Sequence, residues 1–531
     1  MITVSEVSFN FSGQQLFKDV NLKFQPGNCY GIIGANGAGK STFLRLLCGE
    51  LEPSKGDIFI SKDERMSVLK QDHFAYDEFT VLDTVMQGNE RLYAVMKEKD
   101  AIYEKADFTD EDGERAAELE AEFAEMNGWE AESDASKLLQ GLGLDEGVLY
   151  MPMSSLNEKE KVKVLLAQAL FGNPEIILLD EPTNGLDIDA TLWLENFLAD
   201  YYGIVLVVSH DRHFLNDVCT HIVDIDYGKI KMYVGNYEFW YESSQLMQKL
   251  IKQQNKRNED KIAELQSFIS RFSANKSKSR QATARRKLLD KLTVEEMPAS
   301  SRRYPWIGFE LSREAGKDIL SVSNLTKTLD GVPLFKDLSF TIAKGEKVAF
   351  FGNELALTAL FNILMEEDTA DSGSFKWGVS ITPSYFPHDN TKYFAGHTEN
   401  IVDWMRQYSQ DQTEAYLRGF LGRMLFSGDA VYKQVQVLSG GEKVRCMFSR
   451  MMLFPANCLV LDQPTDHLDL ESISAVNDGL TAFPGNVLFT SHDYEIVNTV
   501  ANRIIELLPD GTVLDRSGTY EDFLEWRRTR V

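Results

Sequence analysis

The chain repeats itself, and this repeat constrains its fold more than any other feature of the sequence. Residues 16–27 read LFKDVNLKFQPG and residues 334–345 read LFKDLSFTIAKG, an offset of 318 residues. Further pairs of segments match in the same order: residues 29–41 with 347–359, residues 175–187 with 457–469, and residues 207–215 with 489–497. Chance similarity at several co-linear places is improbable, so the chain carries two copies of one domain.

Each copy alternates short apolar strands with helical stretches, a pattern typical of α/β domains whose sheets are largely parallel. A length of 531 residues also exceeds what one hydrophobic core usually supports. Between the copies the pattern is helical, with little β character. An apolar stripe runs along this segment through Leu246, Leu250, Ile262, Leu265 and Ile269. We therefore predict an α/β protein with domains at residues 1–240 and 306–531 and a helical linker at residues 241–305.

Composition argues against several classes of protein. The five cysteines are scattered without a CxxC pair, which indicates a reducing compartment and no zinc site. The N-terminus lacks the features of a signal peptide, and no run approaches the roughly 18 apolar residues of a membrane helix. We therefore expect a cytoplasmic protein without a membrane segment. The net charge of −26 argues against general affinity for nucleic acid but is compatible with a local basic patch.

The first copy contains an insertion that the second copy lacks. Leu156 follows Gln71 by 85 positions, whereas Leu438 follows the matching His388 by 50 positions. The extra residues, at about 84–135, are rich in Ala, Glu, Leu and Lys and almost free of helix breakers. This composition predicts a helical hairpin. The alternative is a solvated surface insertion.

The linker contains a strongly basic run. Residues 271–291 hold eight basic residues and one acid, so a local charge of +7 stands within a chain of net charge −26. A tip of this composition suits the phosphate backbone of a nucleic acid. The alternative is a solvated helical face. The residues that we expect to meet RNA are Arg271, Lys276, Lys278, Arg280, Arg285, Arg286 and Lys287.

A phosphate-binding loop follows an apolar strand in the first copy. Residues 34–41 read GANGAGKS, which satisfies the P-loop pattern in its required context. Its backbone N–H groups and the following helix are expected to bind nucleotide phosphates. Lys40 should reach the β- and γ-phosphates, and the Ser41 hydroxyl should ligate Mg²⁺. The predicted phosphate-site residues are Gly34, Asn36, Gly37, Gly39, Lys40, Ser41 and Thr42.

Acidic residues and a histidine end two further apolar strands. Asp180 closes the run IILLD, where a carboxylate can hold Mg²⁺ through water. Glu181 follows it and is placed as the base that polarises the attacking water. His210, in VVSHD, is expected to contact the γ-phosphate. Taken alone, each feature has an ordinary alternative, a strand-end acidic pair or a hydrogen-bonded core histidine.

Together these motifs resemble the ATP-binding-cassette superfamily. The resemblance rests on GANGAGKS, Gln71, ILLDEPTNGLD, SHD and the signature LSGGEKVR at residues 438–445. Two cassettes on one chain, joined by a helical linker without a membrane segment, resemble the ABC-F branch. The insertion and the linker sequence FISRFSANKSKSRQAT are similar to those of its YbiT-like subgroup. The implied fold is two ATP-binding-cassette (P-loop NTPase) domains joined by a long helical linker.

The resemblance implies two composite sites, each formed by one P-loop and the other cassette's signature. For site one it assigns adenine stacking to Phe11, the magnesium side and catalysis to Gln71, and signature contacts to Ser439, Gly440 and Gly441. The implied ligands are ATP and Mg²⁺. Every part of this site is present in the sequence, so we predict ATP hydrolysis there.

Site two is degraded in both of its halves. Its P-loop segment, GNELALTAL at residues 352–360, contains no lysine, and its signature reads LNEKEKVK. The replacements are Thr358 and Ala359 for Lys and Ser; Asn157, Glu158 and Lys159 for Ser-Gly-Gly; Leu329 for the stacking aromatic; His388 for the glutamine; and Gln463 for the catalytic glutamate. Asp462 and His492 remain. We therefore expect site two to be non-hydrolytic and to bind ATP weakly.

The ABC-F resemblance implies a function in translation. Its members act on ribosomes, so we expect a monomer with paired cassettes that binds the ribosomal E site and brings its linker near peptidyl-tRNA. Protection of the ribosome against antibiotics is the alternative within the family. Alternatives of another class are a DNA-junction-binding cassette ATPase and the ATPase subunit of a transporter.

Overall fold

A computed structural model describes the chain except residues 12–13, 62–63, 71, 73, 106, 227, 273–301, 330, 509–510 and 530–531. The described residues form two compact units. The first comprises Met1–Gly185, Asp189–Ser209 and Phe214–Ser301, and the second comprises Leu186–Ile188, His210–His213 and Arg302–Val531.

Up to residue 272 the chain forms nine strands and nine α-helices, counted over the described residues. In chain order they are β1 (Ile2–Phe11), β2 (Gln14–Phe24), β3 (Asn28–Gly34), α1 (Lys40–Leu47), β4 (Lys55–Ile60), β5 (Met66–Val68), α2 (Val81–Met86), α3 (Glu90–Tyr103), α4 (Asp110–Glu125), α5 (Ala131–Gly141), α6 (Glu158–Leu170), β6 (Ile176–Asp180), α7 (Ile188–Ala199), β7 (Ile204–Val208), α8 (Arg212–Val218), β8 (His221–Asp226), β9 (Lys229–Val234) and α9 (Tyr237–Phe272).

The first unit is built on a six-stranded sheet with the order β5-β6-β7-β3-β8-β9. All neighbouring strands are parallel except β8 and β9. All of β7 and most of β6 are buried, because both faces of the sheet are covered. This burial explains why these strands read as continuous apolar runs in the sequence.

A small antiparallel sheet with the order β2-β1-β4 covers part of this core. Its inward side chains include Ile2, Phe17 and Phe24, none of which is exposed. Phe17 meets Phe43 of α1 edge to face, with ring centroids 5.8 Å apart. The apolar layer between the two sheets therefore anchors the helix that follows the P-loop.

The insertion of the first copy contains two helices, α3 and α4, that pack against each other. The two helices form a hairpin. Leu119 and Phe123 of α4 are buried, and the Lys99 ammonium of α3 lies 4.1 Å from the centre of the Phe123 ring. Arg91 of α3 forms an ion pair with Glu122 of α4. The hairpin is thus a packed element and not only a solvated insertion.

The second unit repeats this architecture. Its elements in chain order are β10 (Asp318–Leu329), β11 (Val332–Ala343), β12 (Lys347–Gly352), α10 (Glu354–Leu364), β13 (Ser372–Trp377), β14 (Pro383–Phe386), α11 (Ile401–Arg406), α12 (Glu414–Arg423), α13 (Gly440–Leu453), β15 (Cys458–Asp462), α14 (Leu470–Ala482), β16 (Asn486–Thr490), α15 (Tyr494–Val500), β17 (Arg503–Leu507), β18 (Val513–Ser517) and α16 (Tyr520–Arg528). The sheet orders β14-β15-β16-β12-β17-β18 and β11-β10-β13 match those of the first unit. The predicted α/β fold class is confirmed.

Helix α9 begins the predicted linker. Its 36 residues span about 54 Å at 1.5 Å per residue. Of the predicted apolar stripe, Leu265 is buried, whereas Leu246 and Leu250 are exposed. Within the described residues, no helix combines the length and apolar character that crossing a membrane would require.

Candidate nucleotide-binding site

The P-loop of the first unit lies between β3 and α1. Gly37 and Gly39 have φ values of +80° and +99°, in the left-handed region that other residues rarely adopt. A Cβ atom on Gly39 would also lie 2.7 Å from Cζ of Phe17, so a larger residue would displace the loop. This backbone forms the kind of N–H-lined concavity that binds anions.

Lys40, the first residue of α1, is almost fully buried. Its Nζ atom donates a hydrogen bond to the carbonyl oxygen of Gly34, 2.9 Å away, which holds the ammonium group over the loop. Ser41 and Thr42 follow in the first turn of α1, and Asn36 lies within the loop. A lysine ammonium group, a loop with left-handed glycines and a helix N-terminus lie together here. These residues fit a nucleotide's phosphates.

Asp180 lies at the same edge of the sheet as the P-loop. Asp180 of β6 and Ile32 of β3 both pair with Val208 of β7, and the P-loop begins two residues after Ile32. Adjacent strands are about 4.8 Å apart, so Asp180 stands about 10 Å across the sheet from β3. A carboxylate in this position suits a divalent metal bound beside phosphates.

Glu181 has an unusual backbone conformation. Its φ is +53°, and its N–H group donates to the carbonyl oxygen of Val208 at 2.8 Å. Non-glycine residues in this region are uncommon and concentrate at functional sites. The turn directs the chain away from the sheet immediately after Asp180, which places two successive carboxylates at the loop edge.

The second unit keeps this backbone turn but not its carboxylate. Gln463 follows Asp462 with a φ of +48°, and its N–H group donates to Oγ1 of Thr490 at 2.9 Å. The Gln463 side chain is buried, and its Oε1 atom has no hydrogen-bond partner among the described residues. The local fold at the predicted catalytic position is therefore retained without a group that can act as a base.

In the second unit a helical turn stands where the first unit has its P-loop. By the repeat offset, Thr358 matches Lys40, yet α10 begins four residues earlier, at Glu354. Asn353 caps this helix by accepting a hydrogen bond from the N–H group of Ala356 at 3.3 Å. The sequence predicts the loss of the lysine here but not the change to helix.

Asp462, which matches the predicted magnesium ligand Asp180, forms hydrogen bonds within the second unit. Thr358 Oγ1 donates to Asp462 Oδ2 and Thr490 Oγ1 donates to Asp462 Oδ1, each at 2.7 Å. Burial raises the pKa of the Asp462 carboxyl. His388 Nε2 lies 3.3 Å from Glu354 Oε1 and 3.7 Å from Asp466 Oδ2. The neighbouring Asp466 carboxylate is the main cause that raises the pKa of the His388 imidazole.

The two signature segments share one local structure. Ser439 caps α13 and Asn157 caps α6, each in a capping box with the glutamate three residues later. They differ at the next two positions, where Gly440 and Gly441 correspond to Glu158 and Lys159. A Cβ atom on Gly441 would lie 2.9 Å from the carbonyl oxygen of His467, so packing within the second unit itself favours glycine there.

The remaining predicted residues are placed as follows. Phe11 is the last residue of β1, and His210 lies between β7 and α8. Arg271 is in the last turn of α9. The residues of the prediction that lie outside the described part of the chain are Gln71, Lys276, Lys278, Arg280, Arg285, Arg286 and Lys287.

Comparison with known proteins identifies a family. The ABC_tran family model, described as "ABC transporter", matches residues 17–184 and 335–466, more than half of the chain. A second model with the same description matches residues 223–307.

Two curated proteins match along almost their whole length. The chain is 60% identical over 527 residues to the uncharacterized ABC transporter ATP-binding protein YkpA of Bacillus subtilis, covering 99% of this chain and 97% of YkpA. It is 44% identical over 526 residues to the probable ATP-binding protein YbiT of Escherichia coli O157:H7, covering 99% of each.

Solved structures share the tandem fold at low sequence identity. One is the complex of the archaeal ribosomal stalk protein aP1 with the ribosome recycling factor aABCE1, with a TM-score of 0.61 at 18% identity, covering 99% of this chain and 92% of that one. Another is a model of ribosome-bound archaeal Pelota and ABCE1, with a TM-score of 0.55 at 17% identity, covering 98% and 85%. At these identities the likeness establishes the fold alone.

The family matches and the cassette motifs confirm the predicted ATP hydrolase activity, which in this family uses ATP with a divalent metal. Two cassettes on one chain and relatives that match from end to end confirm the predicted branch as well. The chain belongs to the ABC-F family of tandem ATP-binding-cassette ATPases, in its YbiT-like subgroup.

Proposed function

We propose that this protein is a cytoplasmic, monomeric translation factor that binds the ribosomal E site when site one holds ATP. The observation that carries the proposal is the asymmetry of the two cassettes. The first keeps a P-loop with left-handed glycines and a buried lysine, whereas the second has a helical turn in its place. ATP binding and hydrolysis at one site would then control binding to and release from the ribosome.

Within site one, each predicted residue would have a distinct role. The loop N–H groups and Lys40 would hold the phosphates, and Ser41, Gln71 and Asp180 would hold Mg²⁺, which neutralises phosphate charge. Glu181 would accept a proton from the attacking water, and His210 would contact the γ-phosphate. Phe11 would stack on adenine. The signature residues Ser439, Gly440 and Gly441 would complete the site, as the family resemblance implies.

The ribosome is the partner that the linker favours. The run at residues 271–291 reverses the sign of the chain's net charge over a short length, and phosphate contacts by Lys and Arg are the main source of affinity for RNA. Two proteins of the same fold are described in ribosomal contexts, aABCE1 with a ribosomal stalk protein and ABCE1 with Pelota on the ribosome. The linker tip would approach peptidyl-tRNA.

Cosedimentation with ribosomes tests this function. The Glu181→Gln variant loses the base but keeps the phosphate loop, so it should pellet with ribosomes in the presence of ATP and much less in its absence. Lys40→Ala serves as the control, because it should lose the ATP dependence. Equal pelleting of Glu181→Gln with and without ATP would contradict ATP-controlled binding, and no pelleting would contradict the choice of the ribosome.

A further inference from the structure

In the second cassette the first turn of α10 stands at the positions of residues 36–39 of the first cassette's P-loop. Helix α1 ends at Leu47 and α10 ends at Leu364, positions that agree within one residue by the repeat offset. Their beginnings differ by four residues, which adds about 6 Å of helix at the N-terminal end. The extra length therefore extends into the space that the loop encloses in the first cassette.

This turn is fixed by the hydrophobic core. Leu355 and Leu357 occupy the positions of Gly37 and Gly39, and both are helical where the glycines are left-handed. The Leu357 side chain is 4% exposed and belongs to the main core cluster of the second cassette. Unwinding the turn into a loop would remove this side chain from the core, at a cost of about 2 kcal/mol for a buried leucine.

Two backbone N–H groups of this turn are engaged by Asn353. The N–H group of Ala356 donates to the Asn353 side chain at 3.3 Å, and that of Leu357 donates to the Asn353 carbonyl oxygen at 3.0 Å. Glu354 adds a carboxylate in the first turn, where a helix N-terminus favours negative charge. A phosphate that approaches this helix N-terminus would therefore meet the carboxylate of Glu354.

Asp462, the counterpart of the predicted metal ligand Asp180, also has hydrogen-bond partners within the second cassette. Both oxygens of the Asp462 carboxylate accept hydrogen bonds from the hydroxyl groups of Thr358 and Thr490. Asp462 itself is 1% exposed. His388, which replaces a glutamine, faces Glu354 and Asp466. A histidine and a carboxylate thus meet where the family resemblance implies Mg²⁺ and phosphate.

We propose that the second cassette takes no nucleotide, because its P-loop has become a helical turn whose carboxylate, Glu354, stands in place of the phosphates. This inference rests on the proposed function, in which the P-loop of the first cassette binds the ATP. It differs from the loss of a lysine alone, since a lysine restored at position 358 would follow a helical turn instead of a glycine-rich loop. The second cassette is then a permanently nucleotide-free partner of the first.

Counting bound nucleotide in the full-length protein tests this proposal. With Lys40→Ala silencing the first cassette, equilibrium dialysis against Mg-ATP should find almost no bound nucleotide. Adding Thr358→Lys should leave the occupancy unchanged. Tight binding by Lys40→Ala alone, or a gain of about tenfold in affinity from Thr358→Lys, which is about 1.4 kcal/mol, would overturn the proposal.

An exchange of segments tests whether a restored P-loop gives the second cassette nucleotide binding. Replacing residues 353–359, NELALTA, by ANGAGKS from residues 35–41 should create nucleotide binding in the Lys40→Ala background. If this protein unfolds cooperatively yet binds no nucleotide, the helical turn is not what excludes ATP. If it does not fold, the Thr358→Lys result decides. Absence of nucleotide from the unmodified protein would instead contradict the proposed function, because that result concerns the first cassette.

Discussion

At the scale of single residues, Glu181 and Gln463 show how chemistry can be lost without a change of fold. Both follow an aspartate at the end of a buried strand, and both have a left-handed backbone, with φ of +53° and +48°. One atom group differs, a carboxylate against a carboxamide, and only the carboxylate can accept a proton. The strand and the left-handed turn that carry the side chain are the same in both cassettes.

The two residues should therefore respond differently to exchange. Glu181→Gln should lower the steady-state ATPase rate about a hundredfold or more, as expected for a missing general base, while ATP binding persists. Gln463→Glu should leave the rate nearly unchanged, because the second cassette also lacks its P-loop. Phosphate release measures both. A large gain of activity from Gln463→Glu would show a second competent site.

His388 predicts a pH dependence of stability. Asp466, Asp462 and Glu354 surround it and raise the pKa of its imidazole, Asp466 most of all, and Asp389 is adjacent in the chain. A raised pKa in the folded state stabilises the protein below the unfolded pKa of about 6.5, and this stabilisation is lost as pH rises through the folded pKa.

His388→Gln should thus destabilise the second cassette more at pH 6 than at pH 9. Thermal unfolding of the variant and the unmodified protein at both pH values measures the difference. Asp389→Asn, which removes a neighbouring charge but keeps the imidazole, is the control and should retain most of the pH dependence. An equal loss at both pH values would mean that His388 acts through packing alone.

At the scale of elements, the sequence predicted more of the first cassette than of the second. Strand, P-loop and helix at residues 28–47 follow from an apolar run, a glycine pattern and a lysine, each with a strong local preference. The turn at Glu354 depends on what is missing, the glycines at positions 355 and 357. Asn353 as a helix cap and the leucines were available signals. The contact of His388 with Glu354 could not be predicted from the sequence, because it joins residues from separate parts of the chain.

The linker prediction lies partly beyond the described residues, and salt dependence tests it. Changing Arg280, Arg285, Arg286 and Lys287 together to Gln should weaken ribosome binding and flatten its dependence on salt, since fewer counterions are released. Pelleting of the Glu181→Gln protein at two salt concentrations measures both quantities.

A matched control separates position from net charge. Lys249, Lys256, Arg257 and Lys261 lie exposed on α9, and changing them to Gln removes the same number of charges. This variant should bind ribosomes nearly as the parent does. If the two quadruple variants lose affinity equally, the tip has no special role and the charge of the whole linker explains binding.

At the scale of the whole molecule, two copies of one fold have taken different roles. Their sheets share one strand order, and their signature helices share one capping box. The first cassette keeps the phosphate loop and both carboxylates, whereas the second satisfies the same positions with its own side chains. Under the proposals above, such a protein would bind one ATP per chain, and that ATP would control its binding to the ribosome.

The number of ATP molecules on the ribosome-bound protein tests this account most directly. Glu181→Gln protein, mixed with ribosomes and radiolabelled Mg-ATP and then sedimented through a cushion, should carry about one ATP per chain in the pellet, and its binding should depend on that ATP. About two ATP per chain, or a pellet without ATP, would contradict a single controlling site.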